Sequence, residues 1–344
     1  MAAGAAGFVL LVARSGTTAL VHDLAALGFG VALVVGLAIF EHALHAVAWR
    51  RCFSPAFRPS RTRLLGAHLA GFTVNLVTPT ATVGGEVMRA GLLPRSVPAA
   101  EVAASVASDR LSMAVADTAI GMVGFAVLVV QGPLTGWARA ALAAGAALLV
   151  AGVAGFLLLQ RAGKLAAFFG ERSVVRRLLG GELADRFALA SRDIDARLAA
   201  LHAERASDFR ASLILHALGT SVGAVQLAVF LAWLGVPFTW TALAAAFSVA
   251  VALDLFSFFV PARLGAQEAS RMLAMSVAGL DPARGLSFSL VLRAEQIFWA
   301  AIGLLVVPPL LGARGEAVPL AARPADGEHP GRAAEGPLEE GGAC

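Results

Sequence analysis

Two stretches of the chain place the same three residue types at the same offsets. Pro79 is followed by Glu86 and Arg89, and Pro261 by Glu268 and Arg271, so the pattern Pro-x6-Glu-x2-Arg occurs twice. A glutamate and an arginine three positions apart share one helical face, where they pair or hold a ligand between them. Arginine grips a phosphate with a planar fork of N–H donors. Gly84 and Gly85, ahead of the first glutamate, would expose backbone donors at a helix start. Each copy has a further arginine just before or early within the next apolar stretch, Arg110 in one and Arg293 in the other. The chemistry these residues suit is anion binding. Arg89, Arg110, Arg271 and Arg293 would hold an anionic head group, while Glu86 and Glu268 neutralise them in the empty site or meet a cationic group. Asn75 adds a hydrogen-bonding side chain before the first copy, and Asp254 is the lone acid of its apolar stretch, suited to a proton, a counter-ion, or a pair with Arg263 or Arg293. The plainer alternative is that the Glu-Arg pairs fasten broken helices together.

Other chemistries find less support. Glu41-His42-x-x-His45 sets two imidazoles on one face, but a metalloprotease needs His-Glu-x-x-His, and the other histidines stand alone in the sequence, so no metal is expected. Lys164 is followed by Leu165, which leaves no phosphate-binding loop of the Gly-x4-Gly-Lys type, and no Gly-x-Ser-x-Gly elbow is present. Cys52 and Cys344 form neither a disulfide framework nor a zinc cluster. The expectation is a protein without cofactor and without enzymatic activity.

The elements that must position these residues are membrane helices. Of 344 residues, 58% are hydrophobic and 15% charged, against roughly 25% charged in soluble domains. Mean hydropathy is +0.77. Val21 to Ala48, Leu64 to Val83, Leu111 to Val130, Ala138 to Leu159, Phe209 to Leu234, Trp240 to Val260 and Leu286 to Leu311 are each apolar over about 20 residues, enough to cross a bilayer core as helix. Continuous runs such as Ala245 to Val260 lack the alternation of a transmembrane barrel. Arg50, Arg51, Arg58, Arg61 and Arg63 form an acid-free loop that belongs in the cytoplasm, whereas Gln131 to Trp137 and Gly235 to Phe238 carry no charge and suit the outer face. Basic residues gathered in such loops set orientation and do not announce nucleic acid. Residues 160–208, with nine basic and seven acidic side chains and apolar Leu179, Leu183, Phe187, Ile194 and Leu198, read as an amphipathic cytoplasmic connector on the membrane surface. Trp49, Trp137, Trp233 and Trp240 fall where an interfacial belt would stand.

Orientation then produces a contradiction. Leu64 to Val83 runs from inside to outside, yet Leu111 to Val130 must also end outside, so the interval from Gly84 to Arg110 has to return. With Gly84, Gly85, Glu86, Arg89, Pro94 and Arg95 it makes a poor lipid-facing helix, and non-helical backbone at membrane depth survives only inside protein or along a cavity. A broken or re-entrant helix resolves the count, and the same puzzle recurs after Pro261. The first unit starts inside and the second outside. The expected fold is all-α and polytopic, with two inverted repeats, an arrangement that places a substrate site at their interface near the bilayer midplane.

Asn75-Leu76-Val77-Thr78-Pro79 through Gly84-Gly85-Glu86-x-x-Arg89, together with Pro261, Gly265 and Glu268 and the Ala48-Trp49-Arg50 that closes the first span, resembles the flippase-like membrane domain. That family includes the N-terminal membrane half of bacterial lysylphosphatidylglycerol synthase and stand-alone members, some in hopanoid gene clusters. The resemblance spans roughly Val21 to Gly312. It implies movement of a lipid or lipid-linked polar molecule between leaflets of the bacterial inner membrane, with Glu86, Arg89, Glu268 and the following arginines near its path. Pro261-Ala262-Arg263 stands where the family commonly has Pro-Gly-Gly, and Asp109-Arg110 where it has Glu-Arg. The implied partners are the bilayer and a lipid substrate, with room for a second copy of the chain or a lipid-synthesis enzyme. Residues 1–20 form a short apolar segment of their own. Residues 313–344, with three arginines against six acids and many Gly, Pro and Ala, read as a disordered cytoplasmic tail in place of a soluble aminoacyl-transferase half.

Overall fold

The computed structural model describes residues 23, 25–78, 83–170, 181–256 and 265–313, with no side-chain description for 169–170 and 181–188. The expectations for residues 1–20, the prolines Pro79 and Pro261, Arg263, Leu179 and the tail beyond 313 lie outside these, as do those for the side chains of Leu183 and Phe187. Every regular element among the described residues is helical. In order they are α1 (Phe29–Cys52), a 3-10 turn (Pro55–Phe57), α2 (Arg61–Val77), α3 (Val83–Gly91), α4 (Ala99–Gln131), α5 (Gly136–Arg161), α6 (Leu165–Gly170), α7 (Gly181–Ala203), α8 (Ala206–Trp233), α9 (Trp240–Phe256), α10 (Ala266–Val277) and α11 (Pro282–Gly312). Five of these, α1, α4, α5, α8 and α11, are long and apolar enough to cross a membrane, and α9 is a shorter apolar helix. The protein is a polytopic helical membrane protein.

The interruptions fall where orientation demanded them. The expected span Leu64 to Val83 ends early. Helix α2 begins on a Ser60 cap, whose hydroxyl accepts the Arg63 N–H, and stops at Val77. The nine-residue α3 carries Glu86 and Arg89, and the twelve-residue α10 carries Glu268 and Arg271. Gly265 opens α10 at φ +77°, a left-handed conformation open to glycine, and its N–H is taken by the Glu268 carboxylate at 2.8 Å.

Two four-helix units emerge, α1–α4 and α8–α11, and they pack by exchange. The second helix of each lies along the last helix of the other, α2 on α11 and α9 on α4, while α1 and α8 pack together. Small residues permit the close crossings. A Cβ on Gly124 of α4 would stand 2.0 Å from the Ser248 carbonyl of α9, and one on Gly303 of α11 would stand 2.5 Å from the Leu69 carbonyl of α2. Thr73 ties the second crossing by donating to the carbonyls of Leu69 at 3.0 Å and Ala300 at 2.9 Å.

Helix α5 buries only Ala146 and Gln160, as a lipid-facing span can. The connector docks on the helices. Leu198 and Leu201 of α7 are buried against α4 and α5 side chains, and Asp195 accepts the Ala166 and Ala167 N–H groups of α6. The arginine-rich end is knitted to carbonyls and acids. Arg63 donates to the carbonyls of Leu92, Leu310 and Ala313, and Arg58 pairs with Asp208 at 2.6 Å. Trp137 and Trp240 are exposed as a belt requires, but Trp49 is fully buried and donates to Ser105, so its place near a helix end reflects packing.

Candidate functional site

A cavity of about 710 Å³ opens between the two units, lined from α1, α2, α4, α8, α9, α10 and α11. Of the residues expected at the site, Asn75, Arg110, Asp254, Arg271 and Arg293 reach it, whereas Gly84, Gly85, Glu86, Arg89 and Glu268 stand behind its wall. Gly84 and Gly85 lie within α3 and do not precede it. The Gly85 N–H is already taken by the Asn75 side chain at 2.8 Å, and a Cβ there would overlap that side chain at 2.3 Å. Asn75 and Gly85 therefore clasp α2 to α3, and the Gly85 N–H is not a donor for the anion.

Each arginine that faces the cavity is tied to a carboxylate. Arg110 pairs with Glu86, Arg293 with Glu268 at 2.9 Å, and Arg271 with Asp254 at 2.7 Å. The feature the two units share is thus a glutamate on the short helix holding an arginine on the long helix that follows. Their internal arginines differ. Arg271 turns toward α9 and the cavity. Arg89, 1% exposed, is enclosed by Glu86 at 3.2 Å, Asp109 at 2.6 Å and the Trp49 ring, whose centroid lies 4.0 Å from its guanidinium carbon. The expectation that Arg89 grips the ligand gives way to a positioning role, because its charge is spent on carboxylates that hold the neighbouring arginine. Asp254 meets Arg271 and Ser270, a partner the sequence did not single out.

The cavity wall also holds groups outside the expected site, of which the sequence sets apart only Glu41, His42 and His45, and those for a metal alone. Glu41, His42, His45 and His68 line it, with Asp117 accepting from Thr220 at 2.7 Å and Glu295 accepting from Gln226 at 2.6 Å. His68 and His216, isolated in sequence, converge in space on the His42 and His45 pair, His45 meeting His216 at 2.7 Å and His42 meeting His68 at 3.4 Å. The signal was available in part: charged residues inside apolar spans are costly, and Glu41, Asp117 and Glu295 each stand in one. Among the described residues no group of three or more His, Cys, Asp or Glu side chains has the geometry to hold a metal ion.

The cavity therefore presents guanidinium groups together with further carboxylates, those of Glu41, Asp117 and Glu295, in a helical membrane protein. Residues 1–303 match the lysylphosphatidylglycerol synthase TM region. The chain belongs to that family. No match is found among curated proteins or among solved structures. Membership joins the chain to a lipid-related group of multi-pass membrane proteins.

Proposed function

We propose that the protein moves a lipid with a polar, phosphate-bearing head group between leaflets of the bacterial inner membrane, without chemical change to the lipid. The observation that carries the reading is the cavity between the two units, lined by Arg110, Arg271 and Arg293 and by Glu41, Asp117 and Glu295. A volume of about 710 Å³ falls within the 300–1,000 Å³ range of small-molecule sites, enough for a head group while acyl chains stay in the bilayer. The arginines are pre-oriented by Glu86, Glu268 and Asp254, so a phosphate exchanges one anionic partner for another and meets no free charge in an apolar medium. The exchange packing of α2 on α11 and α9 on α4 supports two inverted units that rock about this site.

Purified protein in liposomes carrying a panel of head-group-labelled lipids tests it. Redistribution of one labelled class with its chemical identity intact is the expected result. A new lipid species would make the protein an enzyme, with Glu41, Asp117 and Glu295 as candidate acid and base.

A further inference from the structure

A chain of polar side chains runs from Glu41 on the cavity, through the protein, and back to Arg110 on the cavity. Glu41 Oε1 lies 3.8 Å from His45 Nε2. His45 Nδ1 meets His216 Nδ1 at 2.7 Å, and His216 Nε2 meets Asp109 Oδ1 at 2.9 Å. The other Asp109 oxygen accepts from Arg89, Arg89 donates to Glu86, and Glu86 pairs with Arg110 on the cavity. His45 is 7%, His216 1% and Asp109 2% exposed; His216 and Asp109 stand behind the cavity wall, while Glu41, His45 and Arg110 line it.

The order of partners fixes where protons sit. A carboxylate in a pair with Arg89 only accepts, so His216 Nε2 carries its hydrogen and donates to Asp109. A neutral His216 then has a bare Nδ1, which must accept from His45 Nδ1–H. His45 Nε2 is left bare, aimed at Glu41 beside the cavity. His42 Nε2 and His68 Nδ1 in the same cavity lining also meet no partner among the described residues, so what sets His45 apart is its bond to His216 and, through it, to Asp109.

We propose that His45 and His216 form a proton-binding pair whose occupancy decides whether Arg110 is free to take a phosphate in the cavity. The proton arrives from cavity water by way of Glu41, binds His45 Nε2, and leaves by the same atoms, so no other bond is made or broken. The added positive charge draws Asp109 toward His216 and away from Arg89. Arg89 then leans on Glu86, and Glu86 loosens its hold on Arg110. Groups of both signs face the pair: Glu41 and His42 on α1, His68 on α2, Arg89 on α3, Asp109, Arg110 and Asp117 on α4, and Glu295 of α11 beside Glu41. Since coupling is reciprocal, phosphate in the cavity must in turn tighten the hold on the proton. The proposal rests on the reading of the cavity as a phosphate head-group site.

The test uses full-length protein with 15N-labelled histidine in phosphate-free maltoside micelles, read by NMR. An imidazolium signal from the pair should appear as pH falls from about 8 to 5. Glycerol phosphate, a soluble head-group fragment, should move that midpoint upward, and its own affinity should fall by up to about tenfold per pH unit above the midpoint. His45→Gln should displace the His216 titration by more than about one pH unit, and Asp109→Asn should remove the effect of glycerol phosphate. Absence of an imidazolium over that range, or a midpoint indifferent to glycerol phosphate, overturns the proposal, and both are read on wild-type protein should a variant not fold. In liposomes, lipid movement with no imidazolium would sink the proton pair alone. Titration and phosphate shift without lipid movement under any condition would sink the transport reading and leave the pair standing.

Discussion

Arg89 and Arg110 occupy the same polar cluster and play different parts, because burial and partner number separate them. Arg89 meets two carboxylates and an indole face with almost no exposure, so Arg89→Ala leaves Asp109 buried with His216 as its remaining partner and Glu86 with Arg110, and removing one member of such a buried cluster costs about 3–5 kcal/mol. The expected outcome is poor recovery of folded protein, and Arg89→Lys should rescue little, since an ammonium cannot serve both acids and lie flat on Trp49. Arg110 has 28% of its side chain exposed, and its removal leaves Glu86 with Arg89. Arg110→Ala should therefore melt within a few degrees of wild type, at a cost of about 1 kcal/mol or less, while lipid redistribution in liposomes is lost. Normal transport by Arg110→Ala would end its assignment to the site. Sequence spacing made the Glu-Arg pairs legible but not which arginine faces inward. That depends on Asp109, Trp49 and His216, which come from α4, α1 and α8 and share no local pattern with Arg89.

At the scale of elements, the broken helices were legible because orientation forced them, whereas their ends were not. The apolar run through Val83 hid the stop of α2 at Val77, and the 33 residues of α4 begin twelve positions before the expected Leu111, where Glu101 and Asp109 lie inside the protein and look like loop residues in sequence. The crossings between units are equally silent, since a glycine in an apolar run announces no neighbour. Gly124→Ala and Gly303→Ala would each drive a methyl into a backbone carbonyl of the opposite unit, and overpacking of this kind costs about 1–3 kcal/mol. Both should lower the melting temperature, whereas Gly152→Ala on α5, with open space around it, should not. The connector carries a pH dependence. Burial first, and the Arg161 charge second, push His202 down to about 4. Its Nε2 donates to the Gln160 side chain at 3.2 Å, and its ring packs on the Phe209 edge. An unfolded histidine takes its proton near pH ~6.5, so the docked state binds fewer protons and its stability is full above that pH and lost as pH falls toward the folded value. Wild-type protein should melt lower at about pH 5 than at pH 7, and His202→Gln, which cannot titrate, should show a smaller difference.

For the whole molecule, the duplicated pattern, the two short helices and the exchange of second helices between units are three independent signs of one architecture, the first from sequence and the others from packing. If the units are inverted, the turn after α3 faces the same side as the arginine-rich loop, and the turn after α10 faces the same side as the uncharged loop between α4 and α5. Orientation by basic residues puts the former inside. Single cysteines decide this, in protein with Cys344 replaced, because Cys52 is buried. Thr135→Cys and Asp281→Cys should react with an impermeant thiol reagent on intact cells, and Arg95→Cys and Ala196→Cys only after the membrane is opened. All four positions are exposed, and the loss of the Asp281 cap on α11 costs about 1 kcal/mol, too little to unfold the span. The discriminating pair is Arg95 and Asp281, which follow equivalent short helices. Labelling of both from one side would make the units parallel, remove the symmetry that places a shared site at mid-membrane, and leave the two sets of arginines facing different leaflets. Labelling from opposite sides fixes the two Glu-x-x-Arg helices as half-spans entering from opposite faces, which is the geometry alternating access to one cavity requires.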